Sequence, residues 1–152
     1  MSYVSGNGRF KFERKYNGVK VFTAEGTVLK EIDIGYDYSY FYSSYDGLSL
    51  FFGMHYQFII VGTMTGKTII DSADTRLGEE EVYGMYITPA FDRLLVANMC
   101  GQMQFYDIDV IEKTYKLIIE EKVDMVSVLV ECGYDDYALS FDDYNGRPRL
   151  ST

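Results

Sequence analysis

A short polar turn followed at once by an apolar strand occurs four times in this chain, at intervals of roughly 40–45 residues, a spacing that points to a stacked repeat of several strands per unit. Gly6-Asn7-Gly8 precedes Arg9-Phe10-Lys11-Phe12, and Tyr45-Asp46-Gly47 precedes Leu48-Ser49-Leu50-Phe51-Phe52. Phe91-Asp92 precedes Arg93-Leu94-Leu95-Val96-Ala97, and Tyr134-Asp135-Asp136 precedes Tyr137-Ala138-Leu139-Ser140-Phe141. A strand-rich repeat constrains the fold strongly, because no single copy can bury its own apolar face.

Placing the copies over one another predicts the strands. The first copy reads Tyr3-Val4-Ser5, Arg9–Glu13, Val19–Thr23 and Val28–Ile32. The second reads Tyr38–Ser43, Leu48–Gly53, Phe58–Gly62 and Lys67–Asp71. The third reads Val82–Thr88, Arg93–Ala97, Gly101–Asp107 and Lys113–Ile119, and the last Met125–Glu131, Tyr137–Phe141 and Arg147–Leu150. These segments are short, β-branched or aromatic, and bounded by Gly, Asn and Asp. Helical periodicity is weak, even over Asp107–Val123, where Tyr115-Lys116-Leu117-Ile118-Ile119 suits a strand better. The expected fold is all-β, with about four four-stranded antiparallel units in one domain of 152 residues. The units span about 1–34, 35–76, 77–122 and 123–152, the last incomplete.

Within those units, particular residues resemble blades of the WD40 or YVTN type of β-propeller. Gly101-Gln102-Met103-Gln104-Phe105-Tyr106-Asp107 is similar to the end of a WD repeat, with Tyr106-Asp107 in place of Trp-Asp. Ile87-Thr88-Pro89-Ala90-Phe91-Asp92 and Leu95-Val96-Ala97-Asn98 resemble the first turn and second strand of a blade. Glu25-Gly26-Thr27 and Thr65-Gly66-Lys67 match the hairpin between its third and fourth strands. The chain departs from the pattern in lacking the Gly-His dipeptide and the Trp itself. The resemblance implies a small propeller-like fold or a curved antiparallel meander, and propellers need about 4–8 blades to close. A four-bladed ring, an open meander and a ring completed by a second copy all remain open at this point.

Charge is divided unevenly. Residues 1–76 carry eight basic and eight acidic side chains, whereas 77–152 carry six and fifteen, so the whole net charge of −9 lies in the second half. The first thirty residues are basic, with Arg9, Lys11, Arg14, Lys15, Lys20 and Lys30 against Glu13 and Glu25. An acidic field repels phosphate backbones and steers basic partners, which argues against nucleic acid. No apolar run reaches a membrane span, and the start of the chain does not read as a secretory signal. Cys100 and Cys132 have neither a disulfide-framework count nor metal-pair spacing, which fits a reducing, cytoplasmic setting.

Motifs that could carry chemistry mostly dissolve into the repeat. Gly62-Thr63-Met64-Thr65-Gly66-Lys67-Thr68 looks like a phosphate loop, but Gly62 leaves only three residues before Gly66-Lys67 and a strand follows instead of a helix. Nucleotide binding through Gly66-Lys67-Thr68 stays as an alternative. Asp142-Asp143-Tyr144-Asn145-Gly146 lacks the spacing of a calcium loop and reads as an Asn-Gly hairpin turn. His55, the single histidine, is expected as an exposed turn residue. No catalytic group, cofactor site or metal site is expected. Tyr36, Tyr38, Tyr40 and Tyr42 fall at alternate positions, so an extended strand would put them on one face, packed between neighbouring units with hydroxyls toward the rim; exposure of one or two of them at a partner surface stays open at this point.

These readings predict a non-enzymatic protein-binding module. Its sharpest form is a small acidic inhibitor of immunity type that blocks a basic effector such as a nuclease toxin. Its recognition face is expected at Glu79, Glu80, Glu81, Glu131, Tyr134, Asp135, Asp136, Tyr137, Asp142, Asp143 and Tyr144. The alternative is a propeller-like scaffold that self-associates through an exposed strand edge to complete a ring.

Overall fold

The structure, a computed structural model, describes residues 2–72, 82–98, 102–122, 138–141 and 148–151. The chain divides into two units, Met1–Asp74 and Thr75–Thr152. The division falls beside the expected boundary between the second and third repeats.

The first unit holds two four-stranded antiparallel meanders. One comprises β1 (Ser2–Val4), β2 (Phe10–Lys15), β3 (Gly18–Thr23) and β4 (Val28–Asp33) in the order β1-β2-β3-β4. The other comprises β5 (Tyr40–Ser43), β6 (Ser49–Gly53), β7 (Phe58–Gly62) and β8 (Thr68–Asp71) in the order β5-β6-β7-β8. Alternation decides which face goes inside. Along β2, Phe10 and Phe12 are buried while Lys11 is exposed, and Phe12 pairs with Val21 of β3. Phe10, Phe12, Val19, Val21 and Ile32 from the first sheet meet Phe41, Leu50, Phe52, Ile59 and Val61 from the second in one core. Each such side chain contributes about 1.5–3 kcal/mol by leaving water. Phe41 packs edge-on to Phe12 and Phe52, with centroids 5.8 and 5.4 Å away, geometry that adds about 0.5–1.5 kcal/mol per pair. On the opposite face of β6, β7 and β8, Phe51, Ile60 and Ile70 align in register and are buried too.

The second unit repeats the plan. β9 (Val82–Ile87), β10 (Arg93–Asn98), β11 (Gln102–Asp109) and β12 (Thr114–Lys122) form a sheet in the order β12-β11-β10-β9. Met85, Leu94, Leu95, Val96 and Ala97 are buried within this unit. A further hairpin pairs β13 (Ala138–Phe141) with β14 (Pro148–Ser151). The repeat-based strand map is thus met for every strand that can be compared; the expected strand Met125–Glu131 lies outside the described residues. Among the described residues no helix is long and apolar enough to cross a membrane.

A second signature, invisible in the turns, also recurs. In each four-stranded sheet the register shifts between the third and fourth strands. Val21 pairs with Lys30 but Phe22 with Val28, leaving Leu29 as the extra residue. Ile69 and Ile118 occupy the same role in the other two sheets. A bulge bends the outer strand and re-aims one side chain.

Candidate functional site

The repeated turn is a side-chain-tied loop. In the first copy the Ser5 hydroxyl donates to Asn7 Oδ1 at 2.8 Å and accepts from the Phe10 N–H at 3.1 Å. Asn7 Oδ1 also accepts from the Arg9 N–H at 3.0 Å. The second copy reproduces this: Ser44 Oγ donates to Asp46 Oδ1 at 2.7 Å and accepts from the Ser49 N–H at 3.0 Å, while the Leu48 N–H reaches Asp46 Oδ1 at 3.0 Å. The Leu48 N–H first, and the Ser44 hydroxyl next, hold the Asp46 carboxyl below its usual range. In the third copy Thr88 takes the serine position, its hydroxyl donating to Asp92 and accepting from the Arg93 N–H at 3.1 Å. The left-handed position is filled by Gly8 (φ 74°), Gly47 (φ 75°) and Phe91 (φ 54°) in turn. Aligned by hydrogen bonding, Phe91 therefore stands where the other copies have glycine, and the acidic partner has moved two places on to Asp92.

In a four-strand meander the first and third connections lie at the same end. The first unit brings the matching ends of its two sheets together, since the Asn7 N–H donates to the Tyr45 carbonyl at 2.9 Å. The Thr63 hydroxyl donates to the Gly47 carbonyl, and the Lys30 side chain runs against Gly66. Between these turns lies a groove of about 470 Å³, lined by Arg9, Phe10, Thr23, Ala24, Glu25, Leu29 and Met64. Phe10 is buried at its floor, while Leu29 and Met64 are 42% and 57% exposed. The Leu29 bulge and the β7–β8 hairpin supply its two apolar walls. Arg9 lies over the Phe10 ring, its guanidinium 5.3 Å from the centroid.

The opposite end is built on Tyr38. Its hydroxyl donates to the Gly18 carbonyl at 2.7 Å, and its ring meets Phe52 edge-on at 5.0 Å. The Arg14 guanidinium sits 4.4 Å from the Tyr38 centroid and donates to the Tyr38 carbonyl. Burial, opposed in part by Arg14, pushes the Tyr38 phenol upward.

The four tyrosines expected on one strand face are split. β5 starts only at Tyr40, so Tyr36 and Tyr38 precede the strand, Tyr36 being exposed and Tyr38 buried. Bends before β5 cancel strict alternation. Tyr40 and Tyr42 are half-buried on the face away from Phe41, and Tyr42 packs on Phe51 at 5.9 Å. Tyr38 behaves as the expected interblade packing residue, meeting Phe52 of one sheet and Gly18 of the other.

Gly66-Lys67-Thr68 belongs to the β7–β8 hairpin. The Gly66 N–H donates to the Gly62 carbonyl at 2.8 Å and the Gly62 N–H to the Lys67 carbonyl at 2.9 Å, so these amides are already engaged. His55 is exposed in the β6–β7 turn, as the sequence predicts. The acidic face expected at Glu79, Glu80, Glu81, Glu131, Tyr134, Asp135, Asp136, Tyr137, Asp142, Asp143 and Tyr144 lies outside the described residues, as do Cys100 and Cys132. The groove residues escape sequence reading, although the basic first thirty residues and an apolar Met64 in a polar turn are signals toward it.

No family model matches the chain, and no curated protein matches it. Similar solved structures include the β-propeller domain of Cps50 (Swd1) from Myceliophteria thermophila, 17% identical, with a TM-score of 0.58 over 77% of this chain and 37% of that one. Another is a protein described as a 6-phosphogluconolactonase from Bacteroides fragilis, 18% identical, with a TM-score of 0.60 over 82% of this chain and 39% of that one. The chain spans less than two thirds of either structure's length. Three four-stranded antiparallel meanders and these likenesses make the fold all-β and propeller-like.

Proposed function

We propose that this chain is a non-enzymatic protein-binding module, in its sharpest form an acidic inhibitor that captures a basic effector. The observation that carries the reading is the division of charge: eight basic against eight acidic side chains in residues 1–76, six against fifteen in 77–152. A propeller-like scaffold holds turns rigidly, and a surplus of carboxylates on one half speeds encounter with a cationic partner. The test is immobilised protein challenged with extract of its native host at low and high salt. A basic protein retained at low salt and lost at high salt supports the reading; retention of no basic protein under either condition overturns it.

A second reading, self-association, rests on β12. It is the outer strand of its sheet, nine residues long, with Leu117 and Ile118 both exposed. Two adjacent exposed apolar side chains on an edge strand invite pairing with another chain. Light scattering across a concentration series decides it: a strict monomer at the highest concentration removes this reading.

A further inference from the structure

We propose that the groove at the turn end of the first unit docks an acidic peptide segment of a partner protein, taking up an apolar side chain presented beside a carboxylate. This site is separate from the acidic half and does not rest on the basic-effector reading. The groove has the size of a side-chain or small-ligand pocket, about 470 Å³ against a usual range of roughly 300–1,000 Å³. Its apolar surface is deliberate in its construction. Leu29 is the bulged residue of β4, so the register shift places it outside the ladder, and Met64 sits in the β7–β8 turn, where polar residues are the norm. An unbranched methionine conforms to different apolar guests.

The charges around the groove select the guest. Arg9 lines it, Lys67 lies on the same hairpin as Met64, and Lys30 runs beside Gly66 of that hairpin. None of the three makes an ion pair among the described residues. Glu25 is the one carboxylate in the lining. A peptide carboxylate beside Arg9 gains attraction, with Lys30 and Lys67 adding to the positive charge of the neighbouring hairpin, whereas a peptide lysine there meets like charge.

The experiment uses short fluorescein-labelled peptides in which a leucine or phenylalanine is flanked by aspartates, with lysine-flanked counterparts as controls, read by fluorescence anisotropy against the full chain. The aspartate series is expected to bind about 10-fold or more tightly than the lysine series, and less tightly as salt rises. Met64→Asp is expected to weaken aspartate-peptide binding about 10-fold or more, as loss of an apolar anchor does. Arg9→Glu is expected to shift preference toward the lysine series, a gain that a misfolded protein could not show. Equal binding of the two series, or an unchanged affinity in Met64→Asp with its circular dichroism intact, overturns the proposal.

Discussion

The Asn7 N–H donates to the Tyr45 carbonyl at 2.9 Å, so the same turn of two successive repeats is stitched backbone to backbone. Gly6 is part of that seam: a Cβ there would come within 2.4 Å of the Tyr45 ring. Ser5 and Ser44 close each loop from inside, and both are buried. Replacing either by alanine strands the Phe10 or Ser49 N–H of its hydroxyl partner. Ser5→Ala and Ser44→Ala are each expected to cost about 1–2 kcal/mol. Denaturant unfolding should show a lower midpoint with an unchanged slope.

Gly8 and Gly47 have nearly the same φ, 74° and 75°, but different surroundings. A Cβ on Gly8 meets nothing within 4 Å, whereas one on Gly47 meets Phe10 Cδ2 at 2.4 Å and Ser5 Cβ at 2.9 Å. Gly8→Ala is therefore expected to cost only the left-handed penalty, about 1–2 kcal/mol. Gly47→Ala should cost clearly more, because a core ring must also move. Equal melting temperatures for the two variants would contradict this account.

Phe91 holds the same left-handed position with a side chain, at φ 54°. Phe91→Gly relieves about 1–2 kcal/mol of backbone strain. It also empties the space of a ring that is 2% exposed, and losing a buried phenylalanine costs about 3–5 kcal/mol. Burial wins, so the variant is expected to be destabilised by about 2 kcal/mol, measured by thermal or denaturant unfolding.

Tyr38→Phe removes the bond to the Gly18 carbonyl while keeping the ring. The expected cost is about 0.5–1.5 kcal/mol, the net contribution of one hydrogen bond. Burial raises the Tyr38 phenol in the folded state. Its contribution is therefore fully present below the ordinary tyrosine value of about 10 and is lost as pH rises toward the folded value. The alkaline limb of a stability profile should flatten in Tyr38→Phe.

Asp46 behaves in the opposite sense. Its carboxyl is held low by the Leu48 N–H and the Ser44 hydroxyl. Its stabilisation is present above the usual carboxylate value of about 3.9 and is lost as pH falls through the folded value. Because the side chain is exposed, the effect is expected to be a few tenths of a kcal/mol. Asp46→Asn should flatten the acid limb of the unfolding midpoint by that amount.

The strands were legible because alternation and turn residues are local signals. β7 begins and ends where the pattern of Phe58–Gly62 says it does, and β4 extends the expected Val28–Ile32 by one residue. The tyrosine ladder misleads because alternation holds only inside a strand, and the chain bends before Tyr40. The groove was not legible. It depends on the Leu29 bulge, which is a register property of two strands, and on the approach of Met64 from a hairpin about 35 residues away along the chain, the kind of non-local contact that sequence pattern does not encode.

By itself the sequence determined a repeat of four short strands, the polar turn that begins each copy, and the confinement of the net charge to the second half. Those are properties of residue order and turn chemistry. Only the tertiary structure decided that Phe91 stands at the glycine position, that Tyr38 caps Gly18, and that Arg9, Leu29 and Met64 share one groove. The first is a matter of the turn's hydrogen bonding and backbone angle, and the other two depend on packing between segments far apart in sequence, where burial and register override the local pattern.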